Sequence, residues 1–316
     1  MAAVELLGQH KTDKVLNETV HDIGPPEIIV RELTKDDLKF EVKNIHTSFA
    51  NALRRILISE VPTMAIEKVL MEQNTSVIAD EILSSRLGLT PIYCNPTCLK
   101  YHQIDPLDED PESVLVFELR VRGKSAQTYE DDLTIVNVNV YSEYLKWVPI
   151  GNQEQLFGND PPRVALPKIL LAKLAPGEEI ILRAICHKGI GQDHAKFSPV
   201  ATASYRMMPH ISLKKPILNE LAQKLQTYFS PGVISLVTRK DGNIEAQVNP
   251  SQIDAMSLNA KHDPVLGKLV EITRIPNHFI FNVESTGIIP PNILVKSAVE
   301  ILIAKCQKYL DETKHL

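Results

Sequence analysis

Cys94, Cys98 and His102 stand in a C-x3-C-x3-H string. Thiolate and imidazole are ligands that hold zinc, but a structural site takes four of them. The fourth would have to come from Cys186, His187 or His194, far along the chain. Strong zinc sites are written as two paired ligand clusters, so a single cluster interrupted by Pro96 predicts no bound metal. Gly189-Ile-Gly191 could begin a phosphate cradle, yet it lacks the third glycine and the strand–turn–helix setting of a dinucleotide site. Asp193, His194 and Ser198 are the residue types of a hydrolytic triad. Neighbours in sequence rarely supply its geometry, and no nucleophile elbow accompanies them. With neither convergent carboxylates nor a complete ligand set, the sequence predicts no catalytic residue, no cofactor and no metal. Arg54 and Arg55 offer different chemistry: two adjacent rigid forks of donors suited to carboxylates or phosphates. From the residues alone, a solvated helix face that contributes little is the favoured reading of the pair.

The arginines sit in Thr47-Ser-Phe-Ala-Asn-Ala-Leu-Arg-Arg-Ile-Leu-Ile-Ser-Glu-Val-Pro62, which reads as one short amphipathic helix. Thr47 or Ser48 is the expected cap, since a hydroxyl accepts from the free N–H groups of a first turn. Pro62 disfavours helix at Val61 and ends it. Phe49, Leu53, Ile56 and Leu57 form the apolar stripe, with Arg54 and Arg55 beside it. A second helix opens at Pro290-Pro291 and runs to about Leu310, the missing N–H costing nothing there. Its Val295, Val299, Leu302, Cys306 and Tyr309 are spaced 4, 3, 4, 3, as in the seam of a packed helix pair. That pattern fits equally a helix packed on its own sheet.

Between them, Ile28 to Val42 predicts a strand pair turning at Thr34-Lys-Asp-Asp37. Met64 to Met71 predicts a strand. Ile78 to Leu87 predicts a helix with Ile78, Ile82 and Leu89 on one face and Gly88 at its C-cap. Residues 105–111 form an acidic, proline-punctuated loop. Leu115, Phe117, Leu119 and Val121 alternate, as do Val136, Val138 and Val140. Ala175-Pro-Gly-Glu178 turns into a strand over 179–187. A helix carries Leu218, Leu221, Ala222, Leu225 and Phe229 up to Ser230-Pro-Gly232. Residues 240–265 are polar with a turn at Asp241-Gly-Asn243, and His278 to Val283 is a strand.

Composition sets the limits. The chain has 316 residues, is 44% hydrophobic and carries a formal charge of −5, enough for about two domains. No run of about 18 apolar residues exists to span a membrane, and the start lacks the basic-then-apolar order of a secretory signal. Four scattered cysteines fit a reducing compartment. Without a basic excess, any contact with nucleic acid is expected to run through partners.

Four blocks together resemble the RNA polymerase alpha-like family, and within it the larger alpha-like subunits shared by polymerases I and III. They are Asn51 to Pro62, Asp80 to Ile92, Gly189 to Arg206 and Asn277 to Gly287, in the family's order. The resemblance implies an α+β fold with a discontinuous dimerisation domain at residues 27–95 and 205–316. A β-rich domain would be inserted at 96–204, after an N-terminal arm at 1–26. It implies a non-enzymatic scaffold subunit of nuclear and nucleolar polymerases making ribosomal, 5S and transfer RNA. The smaller alpha-like subunit would be its heterodimer partner, meeting Phe49, Leu53, Ile56, Leu57 and the seam of the last helix. The second-largest subunit would meet Arg54 and Arg55, with the largest subunit joining next. The third-largest subunit of polymerase II is the alternative in the same family, with a compact four-cysteine zinc loop that this sequence does not reproduce. An independent small-molecule enzyme is the alternative outside the family.

Overall fold

The computed structural model describes residues 24–101, 110–123, 137–249, 252, 254–255 and 257–314. In chain order the elements are β1 (Glu27–Leu33), β2 (Asp37–Lys43), α1 (Thr47–Ser59), β3 (Thr63–Asn74), α2 (Asp80–Gly88), β4 (Ile92–Tyr93), β5 (Val114–Arg122), β6 (Val138–Tyr141), β7 (Lys146–Val148), α3 (Gln153–Phe157), β8 (Arg163–Val164), β9 (Leu170–Leu174), β10 (Glu179–Gly189), β11 (Val200–Leu213), α4 (Asn219–Tyr228), β12 (Ile234–Thr238), β13 (Ile244–Val248), α5 (Asn259–His262), α6 (Leu266–Leu269), β14 (Val270–Ser285) and α7 (Pro291–Thr313). They pack as two units. One holds the described residues up to Val30, Phe40–Ala50 and Tyr205–Phe281. The other holds Arg31–Lys39, Asn51–Ser204 and the chain from Asn282 on.

The second unit is built on the sheet β3-β10-β5-β7, with β10 antiparallel to both neighbours. Leu182, Ala184 and Cys186 of β10 lie opposite Leu119, Phe117 and Leu115 of β5. All six are buried and join Met64, Ile66, Leu83 and Leu87 in one core. The alternation in β5 predicts one apolar face. The structure buries the other as well, packing Val114, Val116 and Ile185 against Val148 and Ile150. The helix expected from Ile78 starts at Asp80 instead, because Asn74 Nδ2 donates to the Ile78 carbonyl at 2.8 Å and to Asp80 Oδ1 at 2.7 Å, holding a turn there. Its buried face is Leu83 and Leu87, while Ile82 and Leu89 are exposed. Gly88 closes the helix from inside, and Leu89 is the C-cap residue.

In the first unit Phe40 stacks on Phe281 with centroids 5.0 Å apart, and Tyr205 meets the edge of Phe279 at 5.6 Å. These rings belong to a sheet ordered β1-β2-β14-β11. The Thr34–Asp37 turn, which belongs to the second unit, closes as expected, Thr34 N–H donating to the Asp37 carbonyl at 2.8 Å. The polar stretch after residue 240 hides a strand: β12 and β13 form a hairpin around the Asp241–Asn243 turn. Ala222, Leu225 and Phe229 bury against Ile234 and Ala246 of that hairpin. Of the acidic loop expected at 105–111, residues 105–109 lie outside the described residues. So do Val136 of the alternating run Val136, Val138 and Val140 and residues 1–23 of the expected arm.

Asp263 locks this unit's helical corner. It accepts from the backbone N–H groups of Val265 and Leu266, each at 2.9 Å, and from Lys224 at 2.7 Å. Lys224 first, then those two N–H groups, hold its carboxyl below the ordinary carboxylate range. A depressed folded pKa adds stability above the unfolded value that is lost as pH falls through the folded one. Asp263→Asn is therefore expected to lower the thermal midpoint at neutral pH, with the deficit shrinking in acid. A deficit that stays constant across that range would contradict this account.

Candidate subunit interface

The expected hydroxyl cap of α1 is displaced by one residue. His46 caps the helix: its Nδ1 accepts from Ser48 N–H at 3.2 Å and its carbonyl from Phe49 N–H at 3.1 Å. Thr47 is already the first helical residue. At the other end Glu60 and Val61 still donate to the Ile56 carbonyl, at 2.9 and 3.3 Å, before Pro62 stops the turn. The apolar stripe divides. Leu53, Ile56 and Leu57 are buried within the chain together with Ala50, whereas Phe49 is 54% exposed. Arg54 lays Nε and Nη2 on Asn51 Oδ1, at 3.2 and 2.9 Å. Arg55 is exposed, and among the described residues its guanidinium has no hydrogen-bond or ion-pair partner. One fork is thus held in place and the other is presented to solvent.

On α7 the buried side chains are Pro291, Leu294 and Ala298, one position ahead of the seam. The seam itself opens outward. Val295 and Leu302 are half-buried, Val299 is 40% and Tyr309 65% exposed, and Cys306 is exposed. From Ile303 to Lys314 every residue is exposed. Lys305 Nζ reaches back to Glu60, 2.5 Å from Oε2 and 2.6 Å from Oε1, and so ties the end of α1 to α7. The sequence reading missed this clamp and the His46 cap; the only signal for the cap was a histidine two positions before a serine.

The candidate enzymatic groups are used for packing. A Cβ on Gly189 would lie 2.7 Å from the Phe197 ring, and one on Gly191 would lie 2.3 Å from the Ile58 carbonyl oxygen. The GxG thus serves close approach to other parts of the chain. His194 Nδ1 accepts from Lys196 N–H at 3.1 Å and Ser198 Oγ donates to the Val200 carbonyl at 3.3 Å, so neither is arranged as half of a triad. Lys196 Nζ bridges the Ile66 carbonyl at 3.0 Å and Glu67 at 2.5 Å. Cys94 is buried and Cys98 half-buried. Burial, with Cys98 next in effect, pushes the Cys94 thiol up to about 12, so without a metal ion bound to it the group is protonated at neutral pH. His102 lies outside the described residues, among which no three His, Cys, Asp or Glu groups are arranged to hold an ion.

The model of the RNA polymerase Rpb3/Rpb11 dimerisation domain matches residues 39–306. The chain is 43% identical over 288 residues to the bovine "DNA-directed RNA polymerases I and III subunit RPAC1", covering 90% of this chain and 83% of that protein. The budding-yeast protein with the same name is 41% identical, covering 89% and 85%. The Dictyostelium "DNA-directed RNA polymerase II subunit rpb3" is 31% identical, covering 92% and 96%.

The Gly191 approach yields a sharp expectation. Gly191→Ala forces a methyl into the Ile58 carbonyl and is expected to cost about 1–3 kcal/mol of stability, as overpacking does. Chemical denaturation reads it, and a wild-type midpoint would rule the close contact out.

Proposed function

The chain belongs to the RNA polymerase Rpb3/Rpb11 dimerisation family, and on that premise we propose that it is a non-catalytic assembly subunit of DNA-directed RNA polymerases I and III. Identity of 43% along nine-tenths of the chain to a subunit named for those two enzymes carries the reading; the polymerase II relative cited stands at 31%. In this role the chain forms a heterodimer with the smaller alpha-like subunit, and the pair docks the second-largest and then the largest subunit. The polymerase's chemistry resides on other chains, and DNA is met through the assembly. The site of action is the nucleus, including the nucleolus where ribosomal RNA is made. The dimerisation domain takes residues 27–95 and 205–316, and the insert takes 96–204.

The geometry supports a division of labour. Along α7 the half-open seam of Val295, Val299, Leu302, Cys306 and Tyr309 offers apolar surface of the kind an obligate partner covers. On α1, Leu53, Ile56 and Leu57 form the support beneath, Phe49 is the side chain free to meet the partner, and Arg55 is the fork free to meet a carboxylate on the second-largest subunit.

Two substitutions separate the contacts. Val299→Asp sets a charge in the seam and is expected to abolish co-purification of the smaller alpha-like subunit. Arg55→Ala is expected to leave that heterodimer intact while reducing capture of the second-largest subunit, by the 2–5 kcal/mol or so that truncating one partner of a buried charge pair costs. Unchanged capture by the Arg55 variant would remove the arginine from the interface, and an intact heterodimer with Val299→Asp would remove the seam.

A further inference from the structure

Glu41 on β2 and His278 on β14 are 237 positions apart, and neighbouring strands of one sheet bring them together. His278 Nε2 lies 2.8 Å from Glu41 Oε2, with the two side chains 11% and 1% exposed. An ionised carboxylate can only accept, so Nε2 carries the hydrogen, and in the neutral ring Nδ1 keeps its lone pair. Among the described residues Nδ1 has no hydrogen-bond partner, and it is not one of the nitrogens sealed off without one. The buried carboxylate thus fixes which face of the imidazole is offered, and what it offers is an acceptor.

The ring lines a cavity of about 380 Å³, within the range of about 300–1,000 Å³ typical of ligand sites. The walls are apolar: Met208 and Ile211 of β11 and Val233 are buried, and Ile275 is 38% exposed. Asp254, 1% exposed, adds a carboxylate whose Oδ1 accepts from Ser230 N–H at 2.9 Å. Among the described residues no lysine or arginine lines the cavity, and His210, the other histidine there, is exposed. No described serine, threonine or cysteine lines it either. The Glu41–His278 dyad therefore has no nucleophile beside it to activate, and the arrangement is built to bind rather than to react.

We propose that this cavity binds a small molecule carrying a protonated amine on a compact apolar body. The amine donates to His278 Nδ1 in the field of Glu41 and Asp254, and the body packs against Met208, Ile211 and Val233. An anion would meet a lone pair and two carboxylates, and is turned away. A lysine side chain of a peptide has the amine but only an unbranched stem, which leaves much of the chamber unfilled.

The test titrates the full chain, its histidines labelled with nitrogen-15, with benzylamine, n-butylamine and benzoate. Mildly alkaline solution keeps an ordinary imidazole neutral. The His278 signal is identified by its loss in His278→Gln. Benzylamine at millimolar concentration is expected to shift the His278 Nδ1 resonance to saturation. n-Butylamine, the length of a lysine side chain, should bind about tenfold more weakly, because it buries fewer carbons. Benzoate should leave the resonance in place. Ile275→Trp fills the chamber from its exposed wall and should weaken benzylamine by about tenfold, as overpacking does, with the other histidine signals unmoved. The proposal is overturned by a resonance that benzylamine does not move, by benzoate moving it as far, or by Ile275→Trp binding benzylamine as tightly as the wild type. It is equally overturned by n-butylamine binding as tightly as benzylamine, which would reassign the site to a peptide's lysine. The measurement needs no other polymerase subunit, so its failure leaves the assembly role standing.

Discussion

A backbone contact with no room for a side chain sets the position of α1. The Ile58 carbonyl faces Gly191 closely enough that a Cβ would intrude to 2.3 Å. The next peptide is joined as well, Gln192 N–H donating to the Ser59 carbonyl at 2.9 Å. Three further ties hold the segment after Gly191 to β3. Thr63 Oγ1 donates to the Phe197 carbonyl at 2.6 Å, and Lys196 holds the Ile66 carbonyl and Glu67. A helix gripped by its last turn cannot rotate about its axis. That is why Leu53, Ile56 and Leu57 stay inward, Arg55 stays outward and Glu60 stays within reach of Lys305.

The sequence announced where elements begin and end better than which face they bury. Pro62, the Thr34–Asp37 turn and the Ala175–Glu178 turn marked real boundaries, because each acts through local backbone geometry. The face was harder, since periodicity groups residues without saying which group meets the core. In α2 the stripe through Ile78 and Ile82 looked sufficient, and the core took Leu83 and Leu87. In α7 the heptad-like residues were legible, while the chain's own core took Leu294 and Ala298. Phe49 follows the same rule: its spacing matches Leu53, but at that turn the core takes Ala50 beside it.

Contacts made across long separations left no trace in the sequence. The clamp between Glu60 and Lys305 joins residues 245 positions apart, and neither is unusual where it stands. Gly189 and Gly191 were conspicuous, yet their purpose depends on Phe197 and Ile58 arriving beside them. The chemistry that a GxG or a Cys-x3-Cys suggests is conditional on surroundings. Here those surroundings are a ring, a carbonyl and an apolar core that keeps Cys94 a thiol.

The last turns of α7 carry a further consequence. From Ile303 to Lys314 the helix has no buried residue, while Ile303, Tyr309 and Leu310 are each more than half exposed. A helical segment of about 12 residues is marginal in water when nothing packs against it. Order in this part of the chain is therefore drawn from whatever covers it, and folding and association become one equilibrium governed by mass action. A melting temperature measured on the chain alone describes an incomplete object. The quantity with physical meaning belongs to the pair, rises with the concentration of the partner, and falls when the partner is in short supply.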